Sequence, residues 1–593
     1  MKKNIKISNH SFSNYQQISL IHLDLDLKVS FEKQKIYGKA TCKLDRKTQS
    51  NILILDTKGL KIKKVSAVND TQLEFEMGAY DSILGSALII ALPADINAVT
   101  IEYETTENSE ALQWLSPAQT FSKKSPFLFT QSQAILARTW IPLQDCPAVR
   151  FTYNAKVQVD MDLLPLMSAS NPQKRNVERT YSYNMPQPIP SYLMALCVGD
   201  LEFKSLGDSC GVYADPEQLN DAATEFSDLR TMIDSASQLY GSYQWGRYDV
   251  VVLPPSFPFG GMENPRLTFA TPTIIAGDKS LVALIAHELA HSWSGNLVTN
   301  QSWEDFWLNE GFTVYFENRI MEKIYGKPYA DMLAVLGMGE LNSTLTELLD
   351  EYPNDTKLFL NLDGRNPDDG VTDIAYEKGR FFLLMIENIV GRENFDVFLN
   401  NYFKKKAFKT VNTAEFIEIL NNDLLSKNPV WKEKVNYNEW IFERGLPSNC
   451  PEPTSTEFDK VATDVKAFND NGTLPNVKNY TTHHWLQFLR ALPEQMKTEQ
   501  MDALDSAFKL THSGNAEISC DWFKHAITSK YEKAYPAMEA FLMKVGRRKF
   551  LTPLYDRMVD SDQTVLAKSI YERAKSGYHA VSNNTISALL YAK

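Results

Sequence analysis

Apolar and polar residues alternate at period two through Leu20-Ile-His-Leu-Asp-Leu-Asp-Leu-Lys-Val-Ser30, the pattern of a strand with one buried face. Shorter apolar runs follow at Asn51 to Asp56, Ala87 to Leu92, Val99 to Tyr103 and Phe151 to Met161. They predict a large, mainly antiparallel β domain up to about Asp200. Near Pro216 the spacing turns helical, broken by a strand at Tyr248-Asp-Val-Val-Val-Leu253 and a loop at Pro254-Pro-Ser-Phe-Pro-Phe-Gly-Gly261. A mixed α/β unit followed by helices is expected there. Gly445-Leu-Pro-Ser-Asn-Cys-Pro-Glu-Pro-Thr-Ser-Thr456 holds three prolines among turn formers and reads as a linker. Beyond it, stretches such as Trp485 to Leu492 and Met538 to Val545 have the spacing of amphipathic helices. The chain is therefore expected to be an α+β multidomain protein: an N-terminal β domain (1–200), a mixed α/β domain (201–444), a Pro-rich linker (445–457) and an all-helical domain (458–593).

A length of 593 residues exceeds what one hydrophobic core serves, in line with this division. A formal charge of −12 argues against nucleic acid, whose non-specific binding rests on clustered Lys and Arg. Six cysteines lie far apart, without a C-x-x-C pair. They predict reduced thiols in a reducing compartment. The start, Met-Lys-Lys-Asn-Ile-Lys, leads into no apolar segment of the secretory kind. Runs such as Ser86 to Ala91 and Phe381 to Met385 fall far short of the ~20 residues of a membrane span. The expectation is a cytoplasmic protein without a membrane partner, with a monomer as its simplest state.

The most informative segment is Leu281-Val-Ala-Leu-Ile-Ala-His-Glu-Leu-Ala-His-Ser-Trp-Ser-Gly295, an apolar helical pattern with Ser280 as its expected cap and a closing glycine. His287 and His291, four apart, share one helical face. Imidazoles one turn apart, about 5.4 Å of rise, converge on a zinc ion at about 2.0–2.1 Å. A catalytic zinc commonly takes a third protein ligand. Glu310, eighteen residues beyond His291 and within the helical Trp303-Glu-Asp-Phe-Trp-Leu-Asn-Glu-Gly-Phe-Thr-Val-Tyr-Phe-Glu317, supplies it. Glu317, two turns on, is placed to orient a ligand imidazole. Two histidines and a carboxylate also suit iron, but Glu288, a general base for the attacking water inside the motif, favours hydrolysis. A scaffold that had lost its chemistry would lack Glu288 or a ligand, and none is lost. Phe306 and Trp307, beside Glu310, read as core packing.

Upstream, Phe259-Gly-Gly-Met-Glu-Asn-Pro265 combines two glycines, which let backbone approach a ligand, with the anion Glu263. With His-Glu-x-x-His and Glu310, this loop resembles the gluzincin aminopeptidases related to aminopeptidase N, and more closely their leukotriene A hydrolase/aminopeptidase branch. Trp293-Ser-Gly-Asn-Leu-Val-Thr-Asn300, Ala375-Tyr-Glu-Lys-Gly379 and Gly546-Arg-Arg-Lys-Phe550 extend the resemblance over essentially the whole chain. It implies a saddle-like N-terminal β domain, a thermolysin-like catalytic domain, a superhelical C-terminal domain and one Zn²⁺ per chain. Gln133 and Glu263 would hold the free amine of a peptide, while Gly260, Gly261 and Met262 would border its backbone. Tyr376 would donate to the developing oxyanion. Arg547 and Lys549 would meet the terminal carboxylate, favouring short peptides such as tripeptides.

In that branch the same site opens a lipid epoxide, guided by an aspartate whose place Asp368 takes here. A bifunctional or dedicated lipid-epoxide hydrolase is thus the alternative. Two departures bear on specificity. Val371 stands where the animal enzymes carry a tyrosine near the lipid, and Phe259 replaces a tyrosine common before the two glycines.

Overall fold

A computed structural model describes residues 9–591. The alternating segment forms strand Ile18–Ser30, centre of a six-stranded sheet. From one edge, the order is Thr180–Pro190, Arg150–Val159, Ile18–Ser30, Lys35–Arg46, Ala98–Thr105 and Leu60–Ala67. Leu23, Leu25 and Leu27 turn inward, as period two requires. The sheet is antiparallel except where Ile18–Ser30 runs parallel to Arg150–Val159. That pairing joins strands more than a hundred residues apart, a separation that a hairpin cannot bridge but a long crossover can. Three- and four-stranded sheets complete this region, the latter holding Phe127–Thr130 just before Gln133.

Next comes a five-stranded sheet, ordered Glu202–Gly207, Cys210–Ala214, Tyr248–Val252, Leu267–Ala270 and Gly261–Met262. Tyr248–Val252 is buried throughout, as expected of a strand with parallel neighbours on both sides. The Gly-Gly-Met segment is its edge strand, paired to Leu267–Ala270 alone. Helix Ala283–Ala290 packs against it, and helix Trp307–Tyr325 packs against that helix in turn. Ser280 does not cap the first. That helix starts at Ala283, after a turn, and Ser280 Oγ instead bonds Asp278 at 2.5 Å and Thr482 at 2.7 Å. A 25-residue helix, Lys327–Glu351, and then Gly379–Val390 follow. Residues 445–454 carry no helix or strand, and Ser455 caps helix Thr456–Asn471. From there to Tyr591 the described chain is helical, with its own apolar core.

No helix of the described residues is long and apolar enough to cross a membrane. Five of the six cysteines are buried, and none is in a disulfide.

One polar cluster ties the β region to the loop that carries Gln133. Arg138 and Asp56 are wholly inaccessible and Asp145 nearly so. Arg138 donates to Asp145 Oδ2 at 3.0 Å and to the carbonyls of Leu84, His10 and Asp145. Asp56 accepts from Ser11 and from the backbone N–H groups of Phe12 and Asp145. Removing the cation leaves two buried carboxylates without their counter-charge, which costs about 3–5 kcal/mol in comparable cases. Arg138→Ala should therefore lower the midpoint of thermal unfolding by calorimetry, whereas exposed Lys33→Ala should leave it in place.

Candidate active site

The ligand helix Ala283–Ala290 is buried almost all round, Ile285, Ala286 and Leu289 being within 1% of full burial. It presents His287 and His291 from one face toward Trp307–Tyr325, which carries Glu310 in its first turn. The imidazole Nε2 atoms lie 3.2 Å apart. Glu310 Oε2 lies 3.4 Å from His287 Nε2 and 3.5 Å from His291 Nε2. A tetrahedron with ligands at about 2.0–2.1 Å has edges of about 3.3–3.4 Å, so these atoms form one face of a zinc-sized tetrahedron. Glu310 Oε2 is buried and makes no hydrogen bond.

The outer ring nitrogens are also fixed. His287 Nδ1 donates to Glu317 Oε2 at 3.1 Å, and His291 Nδ1 is within 3.1 Å of the Ser294 carbonyl and 3.0 Å of Thr313 Oγ1. Protons on both Nδ1 atoms leave both Nε2 lone pairs for a metal. The residues present fit Zn²⁺ in donor type, spacing and tautomer.

Glu288 lies beside them, buried, under the edge strand. A Cβ on Gly261 would stand 2.1 Å from Glu288 Oε1, and one on Gly260 2.7 Å from Arg547 Nη2. Both glycines are thus demanded by close approach rather than by turn geometry. Burial, opposed by His287 and Arg547 and aided by Glu310 and Glu317, raises the Glu288 carboxyl to about 8. Glu263 is likewise raised by burial, then by Glu310 and Glu288. Its Oε1 is buried without a hydrogen bond, while Asn296 holds its backbone carbonyl at 2.7 Å. Three buried carboxylates converge here, an arrangement that calls for cations.

Tyr376 sits on a π-helical turn, Ile374–Lys378, a form that recurs at functional sites. Its ring lies nearly parallel to that of His287 at 6.1 Å, and burial together with the nearby Glu310 carboxylate raises the pKa of its hydroxyl. Phe306 abuts it edge-on at 6.2 Å. Phe306 and Trp307 are both core residues.

A 37% identical relative, the leucine aminopeptidase 2 of Yarrowia lipolytica, aligns over 99% of this chain and 94% of its own. The chain belongs to peptidase family M1. Within it, the chain falls in the leukotriene A4 hydrolase-like branch and is a metallo-aminopeptidase. The M1 N-terminal domain model matches residues 14–193, the family M1 domain 226–437 and the leukotriene A4 hydrolase C-terminal model 480–590. A leukotriene A-4 hydrolase homolog of Botryotinia fuckeliana is 35% identical over 97% of this chain and 92% of that one. Yeast LTA4 hydrolase in complex with bestatin superposes with a TM-score of 0.91 at 32% identity, covering 100% of this chain and 98% of that one. The α+β architecture expected from the pattern, with its β, catalytic and helical regions, is the architecture of this branch.

In this M1 peptidase a cavity of about 380 Å³ joins the remaining candidates. Gln133, Met262, Glu263, Arg547 and Lys549 line it together with half-buried Asp368 and Val371. Burial brings the Asp368 carboxyl to about 6, against the pull of Arg548. Three contributors escaped the sequence reading. Thr313 lies three residues beyond Glu310, and helical spacing would have flagged it. Glu517 and His483 come from the helical domain, where no local motif marks them.

Glu317→Ala should leave the fold intact while weakening zinc retention about 10–100-fold, the usual cost of losing a ligand's hydrogen-bond acceptor. Chelator competition followed by metal analysis measures it.

Proposed function

We infer that this enzyme removes N-terminal residues from short peptides, holding one zinc per chain. The observation that carries this reading is the unpartnered buried Glu263 oxygen, in the same cavity as the three converging metal-ligand atoms. A substrate ammonium supplies the charge that Glu263 calls for, and Gln133, with its own unpaired buried Oε1, adds an acceptor. An amine fixed there leaves the first peptide bond facing His287 and His291. This gives the direction of cutting.

Zinc, when bound, supplies a Lewis acid that polarises the scissile carbonyl and makes water a better nucleophile. Glu288 then accepts the water's proton and delivers it to the departing amine, a role suited to a carboxylate whose pKa can lie near neutrality. The edge strand at Gly261 offers unpaired backbone groups to an extended peptide, much as a strand adds to a sheet. Tyr376 donates its hydroxyl to the oxyanion as charge develops. Because its proton must stay in place, the upward shift of its pKa by burial and by Glu310 supports this role.

Arg547 and Lys549 meet the terminal carboxylate. With both peptide ends held by charge in one cavity of about 380 Å³, tripeptides are preferred and long chains are poor substrates. Relatives named leucine aminopeptidases make a leucyl tripeptide the assay of choice. Glu288→Gln should abolish its turnover with zinc content unchanged. Tyr376→Phe should lower kcat about 10²–10³-fold with little change in KM, as loss of an oxyanion donor does. Full activity in Glu288→Gln would refute the mechanism.

A second reading, hydrolysis of a lipid epoxide, rests on Asp368 lining the same cavity. It predicts that an allylic epoxide is converted to a diol faster than without enzyme and that Asp368→Asn abolishes this. Val371, lacking the tyrosine hydroxyl, weighs against it.

A further inference from the structure

The carboxylate-binding end contains a carboxylate of its own. Glu517 is 6% exposed and lies between the two cations: Lys549 Nζ is 3.2 Å from its Oε1 and 3.1 Å from its Oε2, and Arg547 Nη1 is 3.5 Å from Oε1. It occupies the first turn of helix Ala516–Thr528, where Asn515 caps the N–H groups of Glu517 and Ile518. A helix N-terminus favours an anion. Despite burial, Lys549 and Arg547 hold the Glu517 carboxyl below its ordinary range.

Arg547 is not saturated by this contact. Its Nε is buried without a partner, and Nη1 reaches Thr273 Oγ1 at 3.3 Å. Around them Arg490 pairs with Asp521 and Glu340, and Lys524 with Asp521, while Glu288 acts on Arg547 and Asp373 on Lys549 from the other walls. Within the directly paired trio of Arg547, Lys549 and Glu517, two cations and one anion leave a net charge of +1.

We propose that Glu517 is a specificity-determining residue that sets this end of the cavity to accept one carboxylate and to reject peptides whose last side chain is also acidic. The proposal rests on the reading that Arg547 and Lys549 receive the substrate carboxylate. A single terminal carboxylate neutralises the trio, whereas a C-terminal Asp or Glu brings a second anion against Glu517. Specificity then comes from a built-in repulsion as well as from attraction.

The test uses zinc-loaded enzyme and three peptides: Leu-Ala-Ala, its C-terminal amide, and Leu-Ala-Asp. Glu517→Gln keeps an oxygen for Lys549 while removing the charge. The expected result is a severalfold fall in KM for Leu-Ala-Ala, little change for the amide, and a rise of about tenfold in kcat/KM for Leu-Ala-Asp relative to Leu-Ala-Ala. A ratio that does not move, or a KM that rises for Leu-Ala-Ala, overturns the proposal and leaves Glu517 a structural prop. Thermal midpoint and zinc content separate misfolding from either result, and Glu517→Ala, tested alongside, must shift the ratio in the same direction. A parallel Arg547→Ala/Lys549→Ala variant tests the underlying reading. If it raises KM for Leu-Ala-Ala and its amide alike, the carboxylate assignment itself fails, and this inference with it.

Discussion

The site depends on one close backbone approach. Gly311, next to the ligand Glu310, packs on Gly379, the residue that follows the π-helical turn bearing Tyr376. A Cβ on Gly311 would fall 2.7 Å from the Gly379 Cα, and one on Gly379 would fall 2.8 Å from the Gly311 Cα. Helix Trp307–Tyr325 and the π turn are locked at van der Waals distance, so Glu310 and the tyrosine hydroxyl cannot drift apart. Two further glycines, Gly260 and Gly261, bring the edge strand down on Arg547 and Glu288. Four absent side chains thus set the spacing of the groups that act.

Such closeness has an electrostatic cost. Glu263, Glu288 and Glu310 are buried within one cavity wall, and burial disfavours each anion. An apo arrangement of this kind is high in energy for its charges, and it becomes favourable as cations enter. In the function proposed above, a metal at the His-His-Glu face and a substrate ammonium at Glu263 would offset different members of the same set. That reading couples binding and catalysis through charge, because whatever neutralises Glu263 also lessens the repulsion felt by Glu288. At the opposite end the logic is inverted. There two cations are present and Glu517 tempers them, so the cavity is polarised along its length in the sense of a zwitterionic peptide.

How much of this the sequence carries depends on whether the relevant interaction is local. The His-Glu-x-x-His spacing and the eighteen residues to Glu310 encode a helical face and a neighbouring helix, and both are visible in one dimension. So are Leu20 to Ser30 and the buried strand at Tyr248, because period two and apolar continuity are properties of a segment. Ser280 misled as a cap since its hydroxyl is claimed by Asp278 and by Thr482, two hundred residues away. The parallel pairing of Ile18–Ser30 with Arg150–Val159 is equally non-local.

Tyr376 illustrates the boundary most clearly. Nothing in Ala375-Tyr-Glu-Lys-Gly379 taken alone distinguishes a functional phenol from a packed one, and only resemblance singled it out. The structural reason it differs is the π turn, one extra residue per hydrogen-bonded ring, which re-aims the side chain while Gly379 lets the next helix resume against Gly311. Glu517 had no such help. Its significance comes from standing between Arg547 and Lys549, thirty and thirty-two residues later on another helix, and that relation exists only once the helical domain has closed over the cavity. The metal-site residues His287, Glu288, His291 and Glu310 left a local trace in the sequence, and Tyr376 did not. Glu517, the residue proposed to judge the far end of the substrate, left none either, because that role is defined by charges that other elements bring to it.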